Sequence, residues 1–287
     1  MASAAPLTID EPGERRRSRR ANLLLVSGCV LLVIIMLVLA GGPLVLKYGP
    51  NTLDYAAILT PPGSAHLLGT DALGRDLLAR IIYGGYNSLF IGACVMVVTT
   101  VAGGLIGLVA GTNPRLDGVL MRIMDVLMGF PVLLLALAIL AALGNTSVNV
   151  VLALAMVYTP RTARIVRAEA LVIRRLTYVE AAESIGAGPM RILLVHVLPG
   201  ILPALMVQET FLFAYAILGE AGLSFVGLGL QPPNPSWGNI LGEARAAFQQ
   251  ASWLVMYPGL ILAATVLALN LIGDGLGRAI DPKRRDG

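Results

Sequence analysis

Apolar residues along this chain fall into long blocks rather than alternating with polar ones, and several blocks reach membrane-crossing length. A helical crossing needs roughly 20 consecutive apolar residues. The clearest candidates are Ala21 to Leu46, Ser88 to Gly111, Ile123 to Leu143, Pro199 to Leu218 and Ser252 to Gly273. A sixth, Val148 to about Val166, is interrupted by Pro160 and Arg161. Omitting it would put the chain ends on opposite sides. The pattern therefore predicts an all-α integral membrane protein with six transmembrane helices and both termini cytoplasmic.

The polar stretches divide the chain into a tail (1–20), a first span (21–46), an external loop (47–87), a core (88–278) and a short tail (279–287). In the external loop, Asp76 to Tyr83 reads as an amphipathic helix, with Leu77, Leu78, Ile81 and Ile82 on one face. Gly219 to Ala251 is apolar but broken by Gly227, Gly229, Pro232, Pro233 and Pro235. It cannot cross lipid as one helix, because proline removes backbone donors and hydrocarbon offers no replacement. Trp237 and Trp253 read as interfacial anchors.

Composition agrees: 56% of residues are hydrophobic and 13% charged, too apolar for an ordinary soluble domain. The net charge of +4 is explained by orientation. With both termini inside, only Lys47, Arg75, Arg80 and Arg245 of the 21 basic residues lie outside, as the positive-inside rule requires. No basic patch is interleaved with aromatics, so nucleic acid is not an expected partner. The first apolar run exceeds a signal peptide's ~7–15-residue core and reads as an uncleaved anchor. Cys29 and Cys94 lie in predicted spans and read as packing residues. His66 and His196 fall on opposite sides, so no metal site is expected. Ser88, Ser147 and the cysteines have no histidine near them in sequence, which argues against an intramembrane enzyme.

The most informative stretch is cytoplasmic, about 177–199. Thr177 and Glu180 have capping-box spacing, Gly186 suits a left-handed helix terminus, and Pro189 can open the next helix. Ala181 and Ala182 leave a flat face flanked by Glu180 and Glu183, which could pair with a partner's arginines. An ordinary surface helix-turn-helix has the same spacing.

Glu180-Ala181-Ala182, then Gly186, then Leu198-Pro199 resembles the EAA loop of ABC-importer permeases. His196 stands where isoleucine is usual, a departure similar to that of the peptide/nickel branch. The resemblance extends to Gly69-Thr70-Asp71 with Gly74-Arg75-Asp76, to Glu220 through Phe225, and to Gly227-Leu228-Gly229. It also covers Pro232-Pro233, Pro235-Ser236-Trp237-Gly238 and Asn270 through Leu276. The chain resembles the C-type permease subunit of dipeptide/oligopeptide importers.

That resemblance implies a type I ABC-importer permease fold in a bacterial cytoplasmic membrane. It also implies a coupling helix carrying Glu180, Ala181, Ala182, Gly186, His196, Leu198 and Pro199, seated on a cytoplasmic ATPase. The expected partners are a second permease subunit, two ATP-binding subunits or domains, an extracytoplasmic substrate-binding protein and the peptide cargo. The chain has no G-x-x-x-x-G-K-[ST] sequence, so it is expected to bind no cofactor, leaving ATP and Mg to its partners. Glu209, read as mid-membrane by counting from Pro199, and Tyr215 are pathway candidates. Glu209 could instead be a structural hydrogen-bonder to the partner permease. Glu220, Ser224, Pro232 and Trp237 are candidates for an external gate. Asp125 reads as a local partner of Arg122. Arg161, Arg164 and Arg167 read as snorkelling anchors, with ATPase contact as the alternative. Nickel or another small solute remains a competing cargo, and a proton-coupled carrier using Glu209 a competing mechanism.

Overall fold

The computed structural model describes residues 12–280, with side chains from Asn22 onward. Residues 1–11 and 281–287, which include Lys283, Arg284 and Arg285 of the C-terminal tail, lie outside the described residues. So do the side chains of the N-terminal arginines. Everything described is helix, turn or loop, apart from one isolated bridge between Thr70 and Asp76.

The long helices are α1 (Pro12–Val45), α2 (Leu77–Thr112), α5 (Ser147–Ile173), α8 (Leu198–Phe225) and α10 (Trp253–Ile280). Shorter ones are α3 (Pro114–Met128), α4 (Val132–Leu143), α6 (Thr177–Ser184), α7 (Pro189–Ile192) and α9 (Trp237–Ala244). Among the described residues, four helical runs are long and apolar enough to cross a membrane: Asn22–Val45, Leu77–Thr112, Pro189–Phe225 and Trp253–Ile280. The expected third span is two helices, α3 and α4, bent by 94°. The bend falls at Gly129-Phe130-Pro131, where Pro131 has no amide hydrogen to continue the ladder. Counting that pair as one crossing gives five. Helix α5 has 27 residues, but Pro160, Arg161, Arg164, Arg167 and Glu169 make its second half polar.

Two expected elements are absorbed into neighbours. The helix read at 76–83 is the first two turns of α2, capped by Asp76, whose side chain accepts from the Ala79 amide. Nothing breaks the helix before Ser88. Gly84 and Gly85 are tolerated because Ser236, Leu39 and Trp237 press against them where a Cβ would sit. The fifth span likewise starts earlier, at Pro189, and runs through a π-helical turn at Leu193–Val197 into α8.

Helices α2 and α5 pack along a glycine seam. A Cβ on Gly103 would lie 2.8 Å from Thr162, on Gly107 2.5 Å from the Ala163 carbonyl, and on Gly111 2.8 Å from Ala170. Glycines spaced four apart share one helix face and allow backbones to approach closely, the small-residue packing that membranes favour. Around this seam Val95, Leu140, Val150, Leu154, Ala216 and Leu223 form one core. Leu39, Ile217, Trp237 and Leu269 form a second beneath α1, α9 and α10.

Candidate functional site: the docked helix, the buried carboxylates and the charged cap

Helix α6 carries the Glu180-Ala181-Ala182 stretch. Leu176, not Thr177, is its N-cap residue and makes no side-chain cap bond. The expected capping box is therefore absent, because the helix starts at Thr177 itself, one residue too early for that residue to occupy the cap. The other end forms as expected. Gly186 has φ +88°, a conformation that costs an L-residue roughly 1–2 kcal/mol. Its amide donates to Glu183 O at 2.9 Å, and the Ala187 amide donates to Ala182 O at 3.0 Å, the paired bonds of a Schellman stop. Pro189 then opens α7 at its first turn.

One side chain fastens α6 to the body. Val179 is fully buried among Ile173 at the end of α5, Ile192 of α7, Val197 of the π turn and Ile201 of α8. Arg174 reinforces this by donating to Thr112 O at the end of α2 (3.1 Å) and reaching Glu183 Oε1 at 3.6 Å. Glu183, expected to face a partner, is thus engaged within the chain, while Glu180 and Ala181 remain exposed. Beside them stand Ile185, 87% exposed, Met190, 64% exposed, and Tyr178, 52% exposed. His196 lies in the π turn with its ring 5.8 Å from that of Tyr178. Leu198 and Pro199 open α8. Sequence reasoning missed the apolar patch, because only the fold shows that Ile185 and Met190 are exposed together.

Phe211 packs on Gly273, and Val207 is within 3.5 Å of where a Cβ on Gly277 would sit, so Glu209 is level with Gly275. Gly275 packs on Leu25, close to the start of the apolar run at Asn22. Glu209 is 7% exposed and turned into the seam, where its Oε1 accepts from Thr162 Oγ1 at 3.0 Å. Tyr215 is on the exposed face, with the Arg161 guanidinium 5.2 Å from its ring centroid.

Glu220, Ser224 and Trp237 do come together, inside the bundle. Ser224 Oγ donates to Glu220 Oε1 at 2.6 Å and Ser88 Oγ to Oε2 at 3.1 Å. Ser88 Oγ also accepts from the Trp237 amide, and Ser224 Oγ from that of Leu230. Trp237 is fully buried, its indole N–H donating to Ile81 O at 3.0 Å. It is therefore no interfacial anchor. Trp253 is half-buried, its indole N–H directed at Thr70 O from 3.5 Å. Pro232 lies elsewhere, in the wall of a cavity of about 340 Å³ shared with Asp71, Arg75, Arg80 and Glu243.

That cavity adjoins a charged cap joining α2 to α9. Arg80, 2% exposed, donates to Asp71 Oδ2 and Glu243 Oε2, both at 2.6 Å, and to Glu243 Oε1 at 3.1 Å. Arg75 Nε donates to Asp71 Oδ2 at 2.7 Å, and its Nη2 also bonds Glu243. Asp71 Oδ1 accepts the Leu73 and Arg75 amides, each at 2.9 Å. Burial pushes the Asp71 carboxyl up, but the Arg75 amide and the charges of Arg75 and Arg80 outweigh it and hold it below its ordinary 3.8. His66 Nδ1 pairs with Asp76 Oδ2 at 2.9 Å. Glu243, 168 residues from Arg75, carried no sequence signal.

The arginines of α5 also find acids. Arg164 bonds Asp125, and Arg167 bonds Asp117, its Nη2 reaching Oδ2 at 2.6 Å. Asp125 therefore does not pair with Arg122, because the bend after α3 lays that helix along α5. Cys29 and Cys94 are free thiols, Cys29 exposed.

Residues 103–286 match the family described as the binding-protein-dependent transport system inner membrane component. This chain belongs to that family. It is 46% identical over 269 residues to a Brucella suis protein named as a peptide transport system permease, covering 94% of this chain and 89% of that protein. It is 43% identical over 268 residues to the di/tripeptide transport system permease protein DppC of Pseudomonas aeruginosa, covering 91% and 88%. Among solved structures, it resembles a chain of the MetNI methionine ABC transporter in inward-facing conformations. That match has TM-score 0.59 and 21% identity, covering 71% of this chain and 95% of that one. This family member therefore shares the helical fold of ABC-importer membrane subunits.

Proposed function

We propose that this chain is the membrane permease subunit of an ATP-driven, binding-protein-dependent importer of short peptides, coupled to its ATPase through α6. The observation that carries the coupling role is the two-sided character of that helix. Val179 is sunk into the junction of α5, α7 and α8, while Glu180, Ala181 and Ile185 face outward. A helix built this way transmits displacement: a partner that moves α6 must move the ends of α5 and α8 as well.

In this reading two ATP-binding subunits close around nucleotide and carry the coupling helices of this chain and a second permease with them. The two membrane halves then rock as rigid bodies between inward- and outward-facing arrangements. An extracytoplasmic binding protein delivers the cargo. The relatives named for peptide and di/tripeptide transport support peptides as that cargo. Basic-residue placement supports six crossings with both termini cytoplasmic, with α5 and the α3–α4 pair completing the count. The setting is a bacterial cytoplasmic membrane. ATP and Mg belong to the partners, and this chain contributes no catalytic group.

The test is uptake of radiolabelled trialanine by the complete complex in proteoliposomes with its binding protein. Uptake should need ATP, stop with vanadate and survive an uncoupler. Uptake that stops with uncoupler alone would assign a proton-coupled carrier instead. Glu180→Arg should reduce uptake at least tenfold without preventing insertion.

A further inference from the structure

A groove of about 910 Å³ runs between α5, α8 and the end of α10, within the size range of small-molecule sites. One wall carries Arg161, Ile165 and Glu169 of α5, and the other Ala204, Gln208 and Phe211 of α8. These positions recur at three- and four-residue spacing, so each set forms one helix face. Tyr215 continues the α8 face one further turn, and the Tyr158 hydroxyl ties the two helices together there by donating to Tyr215 O at 3.0 Å.

Two polar groups in this groove are unexplained by packing. Gln208 is 6% exposed, yet its Nε2 has no hydrogen-bond partner. Arg161 is exposed and has no carboxylate partner among the described residues. Its direction is unusual too. Its neighbour Thr162 bonds Glu209, level with Gly275 near the end of α10, so a snorkelling arginine would turn toward that end. The guanidinium turns the other way, over Tyr215. Tyr215 lies between Phe213 and Ile217, which pack on Gly92 near the middle of α2. A cation at that depth cannot face lipid cheaply; such groups line water-filled or protein-filled space.

We infer that this groove is a peptide-binding segment of the translocation pathway, with Arg161 as the receptor for the peptide's carboxylate. The inference rests on the peptide-permease reading above. The planar guanidinium suits a carboxylate bidentately, and Tyr215 holds it in place by stacking. The unpaired Gln208 amide can donate to a peptide carbonyl. Glu169 lies eight residues along α5, about 12 Å at 1.5 Å per residue, and can take the ammonium end. That separation matches an extended peptide of about three or four residues at ~3.3–3.6 Å each.

The experiment compares wild type, Arg161→Ala and Arg161→Lys in the full reconstituted complex, measuring trialanine uptake and the ATPase stimulation caused by loaded binding protein. Arg161→Ala should lower uptake at least tenfold, keep stimulation within twofold, and be partly rescued by Arg161→Lys. Wild-type uptake by Arg161→Ala overturns the assignment, as does parallel loss of uptake and stimulation in both variants, which would mark a subunit contact. An independent arm uses Ile165→Cys in a chain with Cys29 and Cys94 replaced by serine. A charged methanethiosulfonate should label it, and loaded binding protein with ATP should protect it. No labelling would mean that lipid or the second permease covers the groove. If wild type itself transports no trialanine with ATP while Ile165→Cys is labelled, the peptide-importer reading fails and the wet groove stands.

Discussion

At the scale of single residues, charge and conformation decide what this chain tolerates. Arg80 is held by Asp71 and Glu243 with its side chain 3% exposed. Removing one partner leaves a buried cation partly uncompensated, a change costing up to about 3–5 kcal/mol. Asp71→Asn should therefore lower the complex's melting temperature in detergent, and an unchanged value would show that the cap contributes little. The same group predicts an acid limit. Because Asp71 titrates below its ordinary value when folded, its stabilisation is complete above about pH 4 and is lost as pH falls through the depressed value. The wild-type melting temperature should fall in that window, and by less in Asp71→Asn. Gly186 is the other sensitive point. Proline fixes φ near −65° and cannot adopt +88°, so Gly186→Pro should abolish uptake while insertion persists. Normal uptake would refute the coupling role of the α6 stop.

Among elements, the α2–α5 seam sets the register on which everything else depends. A side chain at Gly107 would meet the Ala163 carbonyl and Val166 at once. Gly107→Leu should separate the helices and reduce the amount of assembled complex several-fold, measured by size exclusion, whereas Gly104→Leu, in open space, should not. Sequence pattern located the apolar helices because burial in lipid demands long uninterrupted runs. It could not place their ends. The helix read at 76–83 merges with α2 because its glycines are packing sites rather than breaks. The expected third span bends because Pro131 interrupts it. Local spacing found the Gly186 stop and the Pro189 start, which need only neighbouring residues. The partners of Asp125, Glu209 and Glu243 come from distant helices, so no sequence window contains them. Asp125 was accordingly misread, and Glu243 was overlooked.

Taken whole, the molecule places a charged cap at one end and a docked helix at the other, joined by α2, α5 and α8. Leu77, Ile81, Ile240 and Leu254 pack beneath the cap, and Val166, Val179 and Ile201 beneath the docked helix. Movement of α6 therefore reaches the far end through continuous helices rather than through loops. Val179→Asp should break this linkage by placing an uncompensated carboxylate in an apolar contact. ATP hydrolysis by the complex should continue while uptake falls at least tenfold.

The most direct test of that account is photo-cross-linking from Ile185→benzoylphenylalanine in the complete complex, with adducts identified by mass spectrometry. The expected result is an adduct to the ATP-binding subunit whose yield changes when nucleotide closes the ATPase pair. Reaction with lipid, or with the extracytoplasmic binding protein, and none with an ATP-binding subunit would contradict it.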